Sequence, residues 1–255
     1  MGLWTKLHAL TILPTFAVLG ILAFFIAKWL KNKDEKIKNI PFMIISVFIL
    51  IIEIIKQIVS FEDGEYNLYS LPFHYCSLFL YLLPLHAFYK GKYKKHIETA
   101  TFICCASLFL FMLVVPTVIY GEGAISNFMK NYIDTHSVVF HNVVCFYFML
   151  MIALKTHEFE TKRDLLVSSI SLSIYCIIAT ILSYTLKVNF HNLRECNLGA
   201  VEQIRLSLVN SIGTMGQVIY VFVIFIGTTL IAFISYFLTK LCIMLVEKIK
   251  SRIVK

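Results

Sequence analysis

Charge is scarce in this chain. Asp, Glu, Lys and Arg make up 15% of its 255 residues and hydrophobic residues 59%, whereas an ordinary soluble domain is about 25% charged and about 45–50% apolar. With a mean hydropathy of +0.80, a water-soluble globule is excluded. Glycine and proline are also few, 10 and 5, and collagen-like or disordered low-complexity chains lack the apolar surface carried here. The seven cysteines contain no CxxC, so neither a membrane disulfide oxidoreductase nor a Cys-rich zinc site finds its motif. The apolar runs lack the polar alternation of a membrane β-barrel. The sequence shows no internal repeat, no long linker and no soluble domain, and reads as one integral membrane domain over 1–255.

Uninterrupted apolar stretches of about 20 residues, the length of a helix that crosses hydrocarbon, fall at about 9–30, 40–60, 68–89, 98–119, 136–154, 165–187 and 213–239. The expected fold is therefore an all-α bundle of seven transmembrane helices, with the termini on opposite sides. Lys and Arg stay preferentially in the cytoplasm. One set of connections carries 17 of them, from the Lys28–Lys38 run through Lys90–Lys95 and Lys155–Arg163 to Lys240–Lys255, and the other set carries 5. This places the N-terminus outside and the C-terminus in the cytoplasm, and it accounts for most of the formal charge of +8. No nucleic-acid partner is needed. The first run lacks a basic n-region and a small-x-small cleavage site, so it is expected to stay in the mature protein of a plasma membrane, as in bacteria. Two outer segments have helical spacing, Ile125, Phe128, Met129, Tyr132 and Ile133, and more weakly Val201, Ile204 and Leu208, and both read as short interfacial helices or, equally, as amphipathic loops packed on the bundle.

Polar groups inside a bilayer are costly and usually face the bundle interior. Counted from the outer ends of their spans, Glu53, Lys56, Gln57, His74, Cys76, His141, Asn142, Thr180, Tyr184, Thr214 and Gln217 fall within roughly 12 Å of the outer boundary at 1.5 Å per residue. Glu53, Lys56 and Gln57 share a helix face at i, i+3 and i+4. One polar layer beneath the outer leaflet is implied. Its members can also be plain interhelical glue, the expected role for Thr180, Thr214 and Gln217 taken singly.

Ser70 and Pro72 look like a helix start, which puts Cys76 in the first two turns, where the helix dipole favours a thiolate. His141, at matching depth, is a candidate to take its proton; from the residues alone, Cys76 reads more simply as a structural small hydrophobe. His74, two residues before Cys76, lies about 200° away round a helix and should point elsewhere. The segment Leu71-Pro72-Phe73-His74-Tyr75-Cys76-Ser77-Leu78, following an intramembrane Glu-x-x-Lys-Gln and with a histidine early in the fifth span, resembles the signature of the YwaF-like bacterial integral membrane proteins. That family is similar to eukaryotic transmembrane acyltransferases that remodel phospholipids through a catalytic cysteine. The resemblance implies Cys76 as nucleophile and His141 or His136 as base, with a membrane lipid as partner and no cofactor. The segment Val188-Asn189-Phe190-His191-Asn192 departs from the family pattern, and no role is carried onto it.

The leading expectation is acyl transfer or hydrolysis on lipid, with Cys76 and His141 catalytic and Glu53, Lys56, Gln57, His74, His136, Asn142 and Tyr184 around the substrate. A transporter component with an outward pocket and a seven-helix receptor are the alternatives. Transport sites usually lie near the midplane between repeated halves, and this polar layer lies to one side. No HExxH-type spacing supports a metal site.

Overall fold

A computed structural model describes residues 6–62, 65–120, 123–196 and 198–253; Lys255, one of the cations counted above, lies outside them. The elements are α1 (Lys6–Leu30), α2 (Glu35–Val59), a hairpin of β1 (Phe61–Glu62) and β2 (Glu65–Tyr66), α3 (Phe79–Phe88), α4 (Lys94–Val114), α5 (Pro116–Tyr120), α6 (Tyr132–Ala153), α7 (Thr161–Leu186), α8 (Gly199–Ile212) and α9 (Thr214–Ile253). Six of these, α1, α2, α4, α6, α7 and α9, are long and apolar enough to cross a membrane. The protein is an all-α membrane protein.

α4 and α6 form the centre. α6 packs on α1, α2 and α4, and α4 packs on α3, α7 and α9 as well. Leu10, Phe24, Phe25 and Trp29 of α1 and Phe222 and Ile226 of α9 point outward, as lipid-facing helices require. Inside, apolar side chains gain little by leaving lipid, so close packing and hydrogen bonds hold the helices together. The fully buried Tyr147 of α6 shows both: its ring packs on Phe42 of α2, and its hydroxyl lies 2.6 Å from His86 Nδ1 of α3. Local caps fix the helix starts. Asp34 accepts from the Ile37 N–H, and Asn131 accepts from the N–H groups of Ile133 and Asp134.

The third apolar run departs from the expectation of a span beginning near Ser70. Its α-helix has only 10 residues, about 15 Å or half the hydrocarbon thickness. Proline disfavours helical backbone in the residue before it, and Leu71 accordingly sits at φ −56°, ψ 141°. His74 is also extended, and Tyr75–Leu78 makes a 3-10 turn before α3 begins. The freed carbonyls are all accounted for. Tyr69 O faces His74 Nε2 at 2.9 Å, Ser70 O accepts from Lys56 and Gln57, Leu71 O accepts from the Phe73 N–H, Pro72 O accepts from the Tyr81 hydroxyl at 3.4 Å, and Phe73 O accepts from the Tyr175 hydroxyl. This satisfaction lets non-helical chain persist beside a cavity.

The short helix expected over 125–133 is also corrected. Residues 123–130 form hydrogen-bonded turns, interrupted by left-handed backbone at Gly123 (φ 81°) and Met129 (φ 64°). Around Val201, Ile204 and Leu208 the expectation of a helix holds, as α8. Its turn into α9 uses Gly213 at φ 60°, and α8 comes so close that a Cβ on Gly216 would stand 2.3 Å from the Leu208 carbonyl oxygen. α9 continues well past the span expected to end near 239.

A second polar cluster lies at the lysine-rich end. Asp164 of α7, fully buried, accepts from Thr99 of α4, His157, Arg163, the Glu160 N–H and Tyr236 of α9. Lys240 of α9 donates to Thr161 at the head of α7.

Candidate functional site

Distant pieces of chain close around a cavity of about 610 Å³. The end of α2 contributes Glu53 and Lys56, the 69–77 segment His74 and Cys76, the first three turns of α6 His136, Ser137 and His141, α5 Tyr120, and the loop after α7 Asn192. In α2, in the segment leading into α3 and in α6 these residues stand at the ends opposite the lysine-rich connections. Of the residues expected around a substrate, Glu53, Lys56, His74 and His136 line this cavity together with Cys76 and His141.

Glu53 organises the wall. Its Oε1 accepts from Lys56 Nζ at 3.1 Å and Gln57 Nε2 at 2.5 Å, and its Oε2 faces His136 Nε2 at 3.1 Å. Lys56 and Gln57 also donate to the Ser70 carbonyl, at 3.1 and 2.9 Å, and Gln57 accepts from the Tyr66 hydroxyl. One turn of α2 therefore pins the irregular segment that carries Cys76. Gln57 does this from behind the lining and not as part of it.

His74 is a second correction. Because the backbone is extended there, the rotation of 200° expected of a helix does not apply, and His74 and Cys76 line the same cavity. Cys76 itself is the second residue of the 3-10 turn leading into α3, not a residue of a longer helix begun at Ser70.

His141 has a defined tautomer. Its Nδ1 lies 2.5 Å from the Ser137 carbonyl oxygen, which can only accept, so Nδ1 carries the proton. Nε2 is then left with a lone pair; it is buried and, among the described residues, meets no hydrogen-bond partner. No hydrogen bond joins Cys76 to this ring. His136 differs in having a carboxylate beside it: Glu53 Oε2 stands 3.1 Å from its Nε2, close enough to pair by charge though not aligned as a hydrogen bond, and its ring stacks on Phe140. Of the two histidines, His141 is the one whose Nδ1 is held by a backbone carbonyl and whose Nε2 has no carboxylate beside it.

The other expected residues do not line this cavity. Asn142 donates to the Tyr120 hydroxyl at 2.7 Å and to the Val138 carbonyl, which steadies a lining tyrosine from outside the cavity wall. Tyr184 donates to the Leu193 carbonyl and accepts from Gln217 at 2.7 Å, tying the loop after α7 to α9. Thr180 bonds within its own helix. Sequence reasoning missed Tyr120, Ser137 and Asn192. Ser137 had a signal, standing one turn before His141, whereas Tyr120 and Asn192 arrive only through tertiary return of their loops. Among the described residues no group of three or more His, Cys, Asp or Glu is placed to hold a metal ion.

Six long apolar helices and a buried polar cavity toward one end define a polytopic α-helical membrane protein. The TMEM164 family matches residues 3–239, nearly the whole chain, and the protein belongs to that family. No curated protein and no solved structure matches it.

Proposed function

We propose that the protein modifies membrane lipids by acyl transfer or hydrolysis, with Cys76 as nucleophile and His141 as general base. The observation that carries this reading is that a thiol and a buried imidazole with an uncommitted Nε2 line one cavity. His141 Nε2 takes the thiol proton and Cys76 Sγ bonds to the ester carbonyl carbon. The carbon–oxygen bond to the leaving alcohol then breaks, with His141 returning the proton to that oxygen. A second lipid hydroxyl attacking the thioester completes transfer, and water completes hydrolysis. Hydrogen bonds of this kind are often long in a free site and tighten around substrate. Lys56 spends two N–H groups on Glu53 and Ser70, which leaves a third for an anionic headgroup.

The same reading extends to topology and setting. The irregular 68–78 segment with α3 makes a seventh crossing, the N-terminus is outside, and the cavity opens in the outer half of a plasma membrane. The chain then stands beside the YwaF-like bacterial proteins that the 71–78 segment resembles.

Reconstitution into vesicles carrying a phospholipid with a fluorescent acyl chain tests the chemistry. Cys76→Ser and His141→Ala should each lower acyl release or transfer by about 10²–10⁴-fold without loss of folded protein. Full activity in Cys76→Ser overturns the mechanism. Counterflow uptake that survives loss of Cys76 and fails with Glu53→Gln would point instead to transport.

A further inference from the structure

The loop between α7 and α8 turns back into the bundle. Phe190 and Leu193 are fully buried there, and Ser183 of α7 exchanges hydrogen bonds with the Phe190 backbone. Asn189 clamps the loop base, donating to the Glu195 carbonyl and accepting from the Arg194 N–H. The tip holds two consecutive left-handed residues, His191 at φ 52° and Asn192 at φ 56°. Such backbone is uncommon outside glycine, with His and Asn among the residues that tolerate it, and strain of this kind gathers at functional sites.

The two tip residues are used differently. His191 is fully committed to the scaffold: its Nε2 lies 2.9 Å from the Thr228 hydroxyl, and its ring stacks on Tyr75 and meets Tyr175 edge-on. Burial pushes its imidazole down to about 4, so it adds no charge at neutral pH. The Asn192 backbone carbonyl is held by the Tyr220 hydroxyl at 2.5 Å. Its side-chain carboxamide has no hydrogen-bond partner among the described residues, and Asn192 lines the cavity.

Packing brings Asn192 to the cavity that Cys76 lines. His74 meets Phe190 with ring centres 5.2 Å apart, and Tyr75 meets His191 at 5.6 Å. The two residues before Cys76 thus pack on the two residues before Asn192, and both chains then deliver their next residue to one cavity. We propose that Asn192 is a further catalytic residue, its carboxamide N–H donating to the oxyanion formed when Cys76 attacks the acyl carbonyl. This rests on the acyl-transfer reading above. As the sulfur–carbon bond forms, the carbonyl π electrons move onto oxygen, and they return when the bond to the leaving alcohol breaks. A fixed donor aimed at that oxygen lowers the barrier to both halves. Left-handed backbone clamped at its carbonyl fixes the Cα from which the donor projects before substrate arrives.

Two substitutions separate this role from a structural one. Asn192→Gly accepts the left-handed backbone without strain and deletes the donor, while Asn192→Asp keeps the shape and replaces the donor by an acceptor. In the vesicle assay both should lower kcat by about 10²–10³-fold with KM nearly unchanged. Alkylation of Cys76 by N-ethylmaleimide, which also consumes the thiol but passes through no acyl tetrahedral intermediate, should keep its wild-type rate in Asn192→Gly. Cys76-dependent transfer that retains its kcat in Asn192→Gly overturns the oxyanion assignment alone. A parallel fall in alkylation and kcat overturns it too, by showing that the loop only shapes the site. Activity that persists in Cys76→Ala overturns the acyl-transfer reading and this proposal together.

Discussion

Replacing Glu53 by Gln keeps the shape of the side chain and removes its charge. That charge faces Lys56 Nζ and His136 Nε2, each at 3.1 Å. Glu53 is 7% exposed, so water screens the pair weakly. At this separation and an effective dielectric of about 20, the gross attraction to Lys56 is on the order of 5 kcal/mol. Desolvation of both ions offsets part of it, while removing one partner leaves the other buried and uncompensated, at roughly 3–5 kcal/mol. Glu53→Gln should therefore lower unfolding free energy by about 3 kcal/mol, and a cycle with Lys56→Met should show coupling of about 2 kcal/mol. Reversible unfolding in mixed micelles measures both. Since Lys56 and Gln57 also hold the Ser70 carbonyl, hydrogen exchange at residues 68–78 should quicken in Glu53→Gln. Coupling below about 0.5 kcal/mol, the size of an exposed surface pair, with unchanged exchange at 68–78, would refute the reasoning.

Two further perturbations probe the scaffold. Asp164→Ala strands buried donors on Thr99, His157 and Tyr236 together with the Arg163 guanidinium, and should lower stability by about 3–5 kcal/mol while folded protein keeps its activity; an unchanged melting temperature would contradict this. Gly216→Ala should cost about 1–3 kcal/mol, because its Cβ meets the backbone of α8 and not a movable side chain. Gly227→Ala, with nothing within 4 Å of the new carbon, is the matched control and should be neutral or stabilising in the same unfolding measurement.

The long helices were legible because 20 apolar residues in lipid leave the backbone little choice but to bond to itself. The same rule overreached at 68–78, where carbonyls find partners outside a helix. Lys56, Gln57, His74, Tyr175 and Tyr81 supply them, and pairings across 5 to 102 residues of chain leave no periodic trace. Depth along the spans did place Glu53, Lys56, Cys76 and His141 around one cavity, since neighbouring antiparallel helices share a depth scale. It could not tell lining from support: Asn142 and Tyr184 lie at a similar depth yet brace Tyr120 and the Leu193 loop. Nor could hydropathy show that the Phe190–Asn192 tip folds inward, for that depends on two left-handed residues and the clamp at Asn189.

Rapid quenching of the protein with a labelled-acyl phospholipid, followed by proteolysis and mass spectrometry, tests the central claim most directly. A hydroxylamine-labile acyl mass on the peptide bearing Cys76, accumulating when acceptor is withheld and missing in Cys76→Ser, is the predicted result. Turnover of the same lipid with Cys76 unmodified at every quench time would contradict it.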